Sequence, residues 1–453
     1  MSAIAALIST PLKVLQNWIM GLWGLLQLIG IAAKTAMEKG GSFQERIVAK
    51  LLAAEGQRVA LSVLRAFLPN IVLSKKLVAA YENTGTAIIT RREDVIDMLN
   101  RNDDFEVVYG PRMRQITDGD NFFLGMQPGW DYTRDTSAMR LAARATDVAE
   151  IVLPRATEVA NEAVAKSNGF IDLPQDVGLK TSSDMVAHYF GTPGPSSETM
   201  INWTTKMFWY LFADLGADDS LKTEALHIMS QARDYLDETI AARKAEPAGG
   251  DDVLSRCLAL QAADTPGMTD LGIRNNIVGL LIGAVPTLSK AACLALEELM
   301  RRPAELRDAQ AAALADDDEK LARYIWEALR FNPHQPVLYR RATRDVVIAR
   351  STLREKTIPE GTLVFGVTLS AAFDTLDVPQ AGDFKIDRPP ATYMTWGYGM
   401  HNCFGEVINR AVIPAILKPV LKLKNLRYAD GATGIDGAGT PFPVHMKLAY
   451  DKV

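Results

Sequence analysis

The sequence predicts a mainly α-helical protein with small β-sheets. Three observations carry this. Residues 147–243 and 271–300 place apolar side chains at helical spacing over long stretches. Strand-like runs are short and bounded by turn residues, as at 77–81 and 86–90 around Glu82-Asn83-Thr84-Gly85. The chain has 453 residues, 48% hydrophobic and 23% charged, enough to bury a large core without disulfides, which its 3 cysteines exclude as a framework. The net charge of -5 argues against a nucleic-acid partner.

The N-terminus departs from the average. Lys13 and Lys34 bracket the uncharged stretch 14–33, about the length a bilayer core requires. Leu15, Trp18, Ile19, Leu22, Leu26 and Ile29 follow helical spacing, and Trp18 and Trp23 suit an interface. Gln16, Asn17, Gln27 and three glycines weaken a spanning reading. Residues 1–76 carry nine Lys/Arg against three Asp/Glu, on an otherwise acidic chain. We therefore expect residues 1–40 to form a membrane-associating helix and 41–453 one domain. The expected location is cytoplasmic, peripheral to or anchored at an anionic membrane surface. A helix docked on its own domain is the competing reading.

Runs 77–81 and 86–90 predict a hairpin, and 92–100 a helix. The apolar segment Phe122-Phe123-Leu124 either lines a substrate pocket or caps the core. Trp130 and Arg134 stand four apart, so on a helix both can donate to one carboxylate. The run 271–300 contains Gly283, Pro286 and Thr287; proline removes an N–H and bends a helix. Glu327 and Arg330 face the same way at i, i+3 and read as a buried structural pair. Val337 and Leu338 open a strand-like segment that includes Arg340 and Arg341. His188 and His227 lack partner spacing, and Cys257 and Cys293 read as inert core thiols.

The stretch WGYGMHNCFG, residues 396–405, holds Cys403 in a glycine-rich loop just before helical spacing resumes. Backbone N–H groups and the helix dipole there favour a thiolate. Such a thiolate can serve as nucleophile with His401 as base, as zinc ligand, or as haem ligand.

The loop resembles the cysteine-ligand loop of the cytochrome P450 family, FxxGxxxCxG. Trp396 stands for the Phe, Gly399 and Gly405 match, and His401 is the basic residue two before the cysteine. The WxxxR pair, the ExxR pair followed by Phe331-Asn332-Pro333, and the strand region near Arg340 occur in the family's order. The resemblance implies a triangular α+β fold and haem b ligated by Cys403. It makes Trp130, Arg134, His401 and Arg340 (or Arg341) propionate partners, with Trp396, Phe404 and Gly405 completing the haem-binding loop. Phe122, Phe123, Leu124, Val337 and Leu338 become pocket residues. Gly283 and Thr287 fall in the catalytic helix, where the family carries an acid before the threonine that relays protons for dioxygen activation. Here Pro286 occupies the acid's place. Asp383 precedes Phe384, where an arginine often completes the ExxR pair; Arg388 follows four residues later.

The resemblance implies a monooxygenase acting on a lipophilic substrate such as a fatty acid. Electrons would come from a separate partner such as a ferredoxin/ferredoxin reductase pair, since the chain lacks a dinucleotide motif and a four-cysteine cluster. Pro286, and a C-terminus similar to the haem-thiolate domain of fungal fatty-acid dioxygenase–hydroperoxide isomerase fusions, favour the alternative of a reductase-free peroxide isomerase or peroxygenase. A haem sensor without turnover is the minor third class.

Overall fold

The computed structural model describes residues 3–38, 40–246 and 250–452, with side chains from residue 14. The chain forms two compact units. One comprises residues 1–77, 82–106 and 329–400; the other comprises 78–81, 107–328 and 401–453.

The first unit contains the larger sheet. Strands β1 (Asn70–Leu73), β2 (Thr86–Ile89) and β3 (Phe105–Glu106) come from its N-terminal part. After the three-residue β4 (Phe170–Asp172) of the other unit come β5 (Leu338–Ala342), β6 (Val346–Ile348), β7 (Lys356–Ile358) and β8 (Leu363–Gly366). The order is β1-β2-β8-β5-β3, with only the β2–β8 pair parallel. Ile89, Val95, Met98, Leu99, Phe105 and Val364 form the apolar cluster beneath it. Strands β6 and β7 pair separately.

The predicted hairpin is corrected: β2 pairs with residues 70–73, not 77–81. The N–H groups of Ala79 and Ala80 donate instead to the Leu215 carbonyl at 3.0 and 3.3 Å. Tyr81 is buried, and its hydroxyl donates to the Leu211 carbonyl at 2.9 Å. With those donors committed, the 77–81 run cannot enter a ladder.

The N-terminal helix (Ala3–Met37) packs on the helix Ala54–Phe67 through small residues. A Cβ on Gly21 would approach Ala66 Cβ to 2.3 Å, and one on Gly24 would approach Ser62 Oγ to 2.1 Å. The apolar ridge points elsewhere: Leu15, Trp18, Ile19, Leu22, Trp23, Leu26 and Ile29 are all exposed. Docking and exposure, opposed in the sequence reading, therefore coexist on different faces.

The second unit is mostly helical. Strand β4 pairs with β10 (Lys447–Ala449), which also pairs with β9 (Arg427–Tyr428). Its central helix, Asp270–Met300, runs unbroken through Pro286, so the proline does not terminate it. Thr269 caps it, its hydroxyl accepting from the Gly272 N–H at 3.1 Å.

Both members of the ExxR pair are buried on the helix Asp318–Phe331, Glu327 at 0% and Arg330 at 2% exposure. Arg330 donates to the carbonyls of Ala372, Ala381 and Asp383 at 3.1, 2.9 and 3.1 Å. Arg388 donates to the carbonyls of Pro379, Gln380 and Asp383 at 2.8, 2.7 and 2.8 Å. Two arginines thus share the Asp383 carbonyl, and Phe384 stacks on Phe331 at 5.7 Å.

Candidate functional site: the Cys403 loop and the central helix

Gly397 and Gly399 have φ of 87° and 70°, in the left-handed region that favours glycine. A Cβ on Gly399 would also press to 3.2 Å on the Leu99 carbonyl. The loop reaches a short turn, Gly399–His401, then Cys403, and the helix Glu406–Leu421 starts after Gly405. Gly405 has an ordinary φ of -83°, so backbone conformation does not demand glycine there.

Cys403 is partly accessible, unlike the buried Cys257 and Cys293. Burial pushes the Cys257 thiol up to about 12 and the Cys293 thiol up as well, which keeps both inert. The Cys403 thiol is raised too, first because surrounding protein desolvates it, with Glu406 adding to the effect. The expectation of a thiolate favoured by the helix terminus is therefore corrected for the free side chain: desolvation outweighs the donors. Those donors are nonetheless aimed at sulfur. The Gly405 N–H, the Asn409 amide (3.7 Å) and the Arg140 charge each favour a negative Sγ.

The neighbouring helix Trp130–Ala142 carries Trp130 and Arg134 and also faces the cysteine loop. Trp130 is 69% exposed, and Arg134 is held by Asp135 at 2.7 Å and Asp131 at 2.9 Å. The residues that reach the cysteine loop are Tyr132, whose ring meets His401 edge-on at 5.0 Å, and Arg140, whose guanidinium lies 3.7 Å over the Phe404 ring. Sequence reasoning missed both, and Asn409.

Phe123 joins loop to helix. Its ring stacks on Phe404 at 4.9 Å, and a Cβ on Gly279 would meet Phe122 at 2.5 Å and Phe123 at 2.9 Å. Phe123 holds a φ of 32°, a strained value for a bulky side chain. Leu124 is partly buried beside it.

On the central helix, Ile282, Ala284, Val285, Pro286, Leu288 and Ser289 are buried. Gly283 is exposed and Thr287 partly so. A Cβ on Gly283 would meet nothing within 4 Å. Gly283 and Thr287 thus leave an opening on a stretch, 281–289, that is otherwise buried. The Thr287 hydroxyl donates to the Gly283 carbonyl, which leaves its oxygen as an acceptor in that opening.

Arg340, Trp396, Val337 and Leu338 belong to the first unit. Arg340 is buried on β5 and donates to the Tyr339 carbonyl at 2.9 Å. Arg341, on the opposite face, is bound by Glu106 at 2.5 Å and Glu82 at 3.1 Å. Leu338 packs against the sheet's apolar cluster; Trp396 and Val337 are partly buried.

The site fits a haem. Among the described residues no three His, Cys, Asp or Glu side chains are grouped to hold a metal. A metal at Cys403 must therefore bring its remaining ligands with it, as a porphyrin does. The sulfur's donors, Arg140 and His401 near the loop, and an open glycine on the central helix suit a flat, anionic, apolar group.

Comparison with known proteins agrees with this geometry. The family profile described as Cytochrome P450 matches residues 81–428. The chain is 28% identical over 258 residues to Cytochrome P450 130 of Mycobacterium tuberculosis, a match spanning 54% of this chain and only 57% of that protein. It is 30% identical over 151 residues to Psi-producing oxygenase A of Emericella nidulans, covering 30% of this chain and 14% of that one. Among solved structures, P450BioI in complex with an acyl carrier protein ligated with hexadec-9Z-enoic acid superposes with a TM-score of 0.73 at 18% identity, covering 88% of this chain and 99% of that one.

Proposed function

The chain belongs to the cytochrome P450 family, and from that premise we propose that it is a haem-thiolate monooxygenase of a lipophilic small molecule, supplied with electrons by a separate partner. The observation that carries this is the set of donors converging on Cys403: the Gly405 N–H, Asn409 and Arg140. Bound haem supplies thiolate-ligated iron, whose electron donation favours oxygen activation. Cys403 would ligate it, and Arg140 and His401 would provide cations and donors for the propionates. Trp130 and Arg134 would be further propionate partners, with Arg134 already oriented by Asp131 and Asp135. Thr287 offers an acceptor in the opening on the central helix, and Phe122 and Phe123 contribute apolar wall.

A second reading has its own support. Pro286 leaves no carboxylate before Thr287, and the chain is partly similar to a fungal Psi-producing oxygenase A. A hydroperoxide brings its own oxygen and needs neither the acid relay nor a reductase. Turnover separates the two. We expect the purified holoprotein to hydroxylate a free fatty acid only when a ferredoxin system and NAD(P)H are added. Rapid consumption of a polyunsaturated fatty-acid hydroperoxide without reductant, giving diols or epoxy alcohols, would replace the monooxygenase reading with the second.

We also infer attachment to a lipid surface through the N-terminal helix. Its exposed ridge includes Trp18 (54%), Leu22 (55%) and Leu26 (61%). Embedding each such side chain is worth roughly 1.5–3 kcal/mol. Replacing all three by serine is expected to weaken binding to phosphatidylcholine–phosphatidylglycerol vesicles by about a hundredfold or more. Binding left unchanged in a flotation assay would remove the lipid-surface reading.

A further inference from the structure

Lys290 continues the opening on the central helix. It lies three residues beyond Thr287 and seven beyond Gly283, so all three share one helical face. Ser289 beside it is buried, whereas Lys290, like Thr287, stays partly accessible. Its ammonium stands 5.6 Å from the centre of the Phe442 ring. Phe442 meets Phe208 at 5.7 Å, and Phe208 meets Phe212 at 4.8 Å. The amine therefore sits at the end of an aromatic wall within one compact unit. Desolvation alone draws its pKa down to about 8, with no carboxylate among the described residues offsetting it. An ammonium held among rings without a counter-ion is costly unless something else supplies the charge.

We propose that Lys290 is the anchor for the carboxylate of the substrate, which is an amphiphile with one acid group and an apolar body that lies along Phe442, Phe208 and Phe212. A carboxylate here gains a charge-assisted hydrogen bond in a partly dehydrated site, where such bonds are strongest. The apolar body is then placed on the face shared with Gly283 and Thr287, so the anchor sets which carbon meets the reacting centre. Lys290 is thus a specificity-determining residue. This inference rests on the monooxygenase reading for its consequence, but binding tests it without turnover.

The experiment is calorimetric titration of the holoprotein with straight-chain acids from octanoate to octadecanoate, each against its methyl ester. The wild type is expected to bind its tightest acid about tenfold or more better than the corresponding ester. Lys290→Met should bring acid and ester to within about twofold while leaving ester affinity in place. Lys290→Gln, which keeps a polar side chain without charge, should behave likewise, and Lys290→Arg should keep the preference. No acid preferred over its ester, or a preference surviving in Lys290→Met and Lys290→Gln, would overturn the proposal. Failure of the oxygenase reading instead appears as absent turnover with the acid preference intact.

Discussion

Cys403→Ala is expected to abolish the thiolate-type carbonyl spectrum of the reduced protein while leaving its helical circular dichroism in place. Neither remaining thiol can substitute. Cys257 and Cys293 are buried, and desolvation raises both thiols. The substitution removes one sulfur atom from a partly accessible position, so the fold should lose no more than about 1 kcal/mol. Loss of the spectrum would thus reflect the ligand and not unfolding. The cost of ionising sulfur in this loop explains why the donors around it matter. The free thiol is disfavoured as an anion by desolvation and by Glu406. Coordination must overcome that, and Gly405, Asn409 and Arg140 each lower the barrier. A normal thiolate spectrum in Cys403→Ala would refute the ligand assignment outright.

The second large effect concerns stability. Arg330→Ala is expected to destabilise the protein by about 2 kcal/mol or more, because it strands two carbonyls worth roughly 1–3 kcal/mol each. Those carbonyls belong to Ala372 and Ala381, whereas the Asp383 carbonyl keeps its bond from Arg388. The guanidinium also lies over the Phe331 and Phe373 rings, at 4.5 and 4.4 Å. Arg330→Lys should rescue little, since one ammonium cannot reproduce a planar fork that spans separate acceptors. Urea denaturation of both variants checks this. A loss below about 1 kcal/mol in Arg330→Ala would show that the clamp is not a stabilising element.

What the sequence made legible was what covalent spacing alone determines. Glu327 and Arg330 must share a helical face, and a glycine-rich loop before a helix must present its cysteine near that helix's start. The long apolar run 271–300 could hardly be anything but a buried helix. What stayed hidden depended on which face meets which neighbour. Arg134 and Arg140 are six residues apart, roughly 240° around a helix, and only one can reach the cysteine loop. One local signal was available. Asp131 and Asp135 flank Arg134 closely enough to satisfy it within its own helix, whereas Arg140 has no such neighbour in the sequence. The hairpin error has a similar origin. The run 70–73 is as β-prone as 77–81, and the choice between them was made by the Leu215 carbonyl, more than a hundred residues away. Asn409 was invisible because a residue six positions beyond a cysteine approaches its sulfur only through a particular loop-to-helix geometry.

The two faces of the N-terminal helix also set opposite rules for how this segment can vary. At Gly21 and Gly24 the limit is volume: the atoms of Ala66 and Ser62 leave no room for a Cβ, so almost any replacement pushes the helix off its seat. Along Trp18, Leu22 and Leu26 the limit is polarity, since more than half of each side chain is exposed. Sequences that keep this arrangement would drift freely among apolar residues on one face and hardly at all on the other. The segment would then look poorly preserved by overall identity while its two small residues stayed fixed.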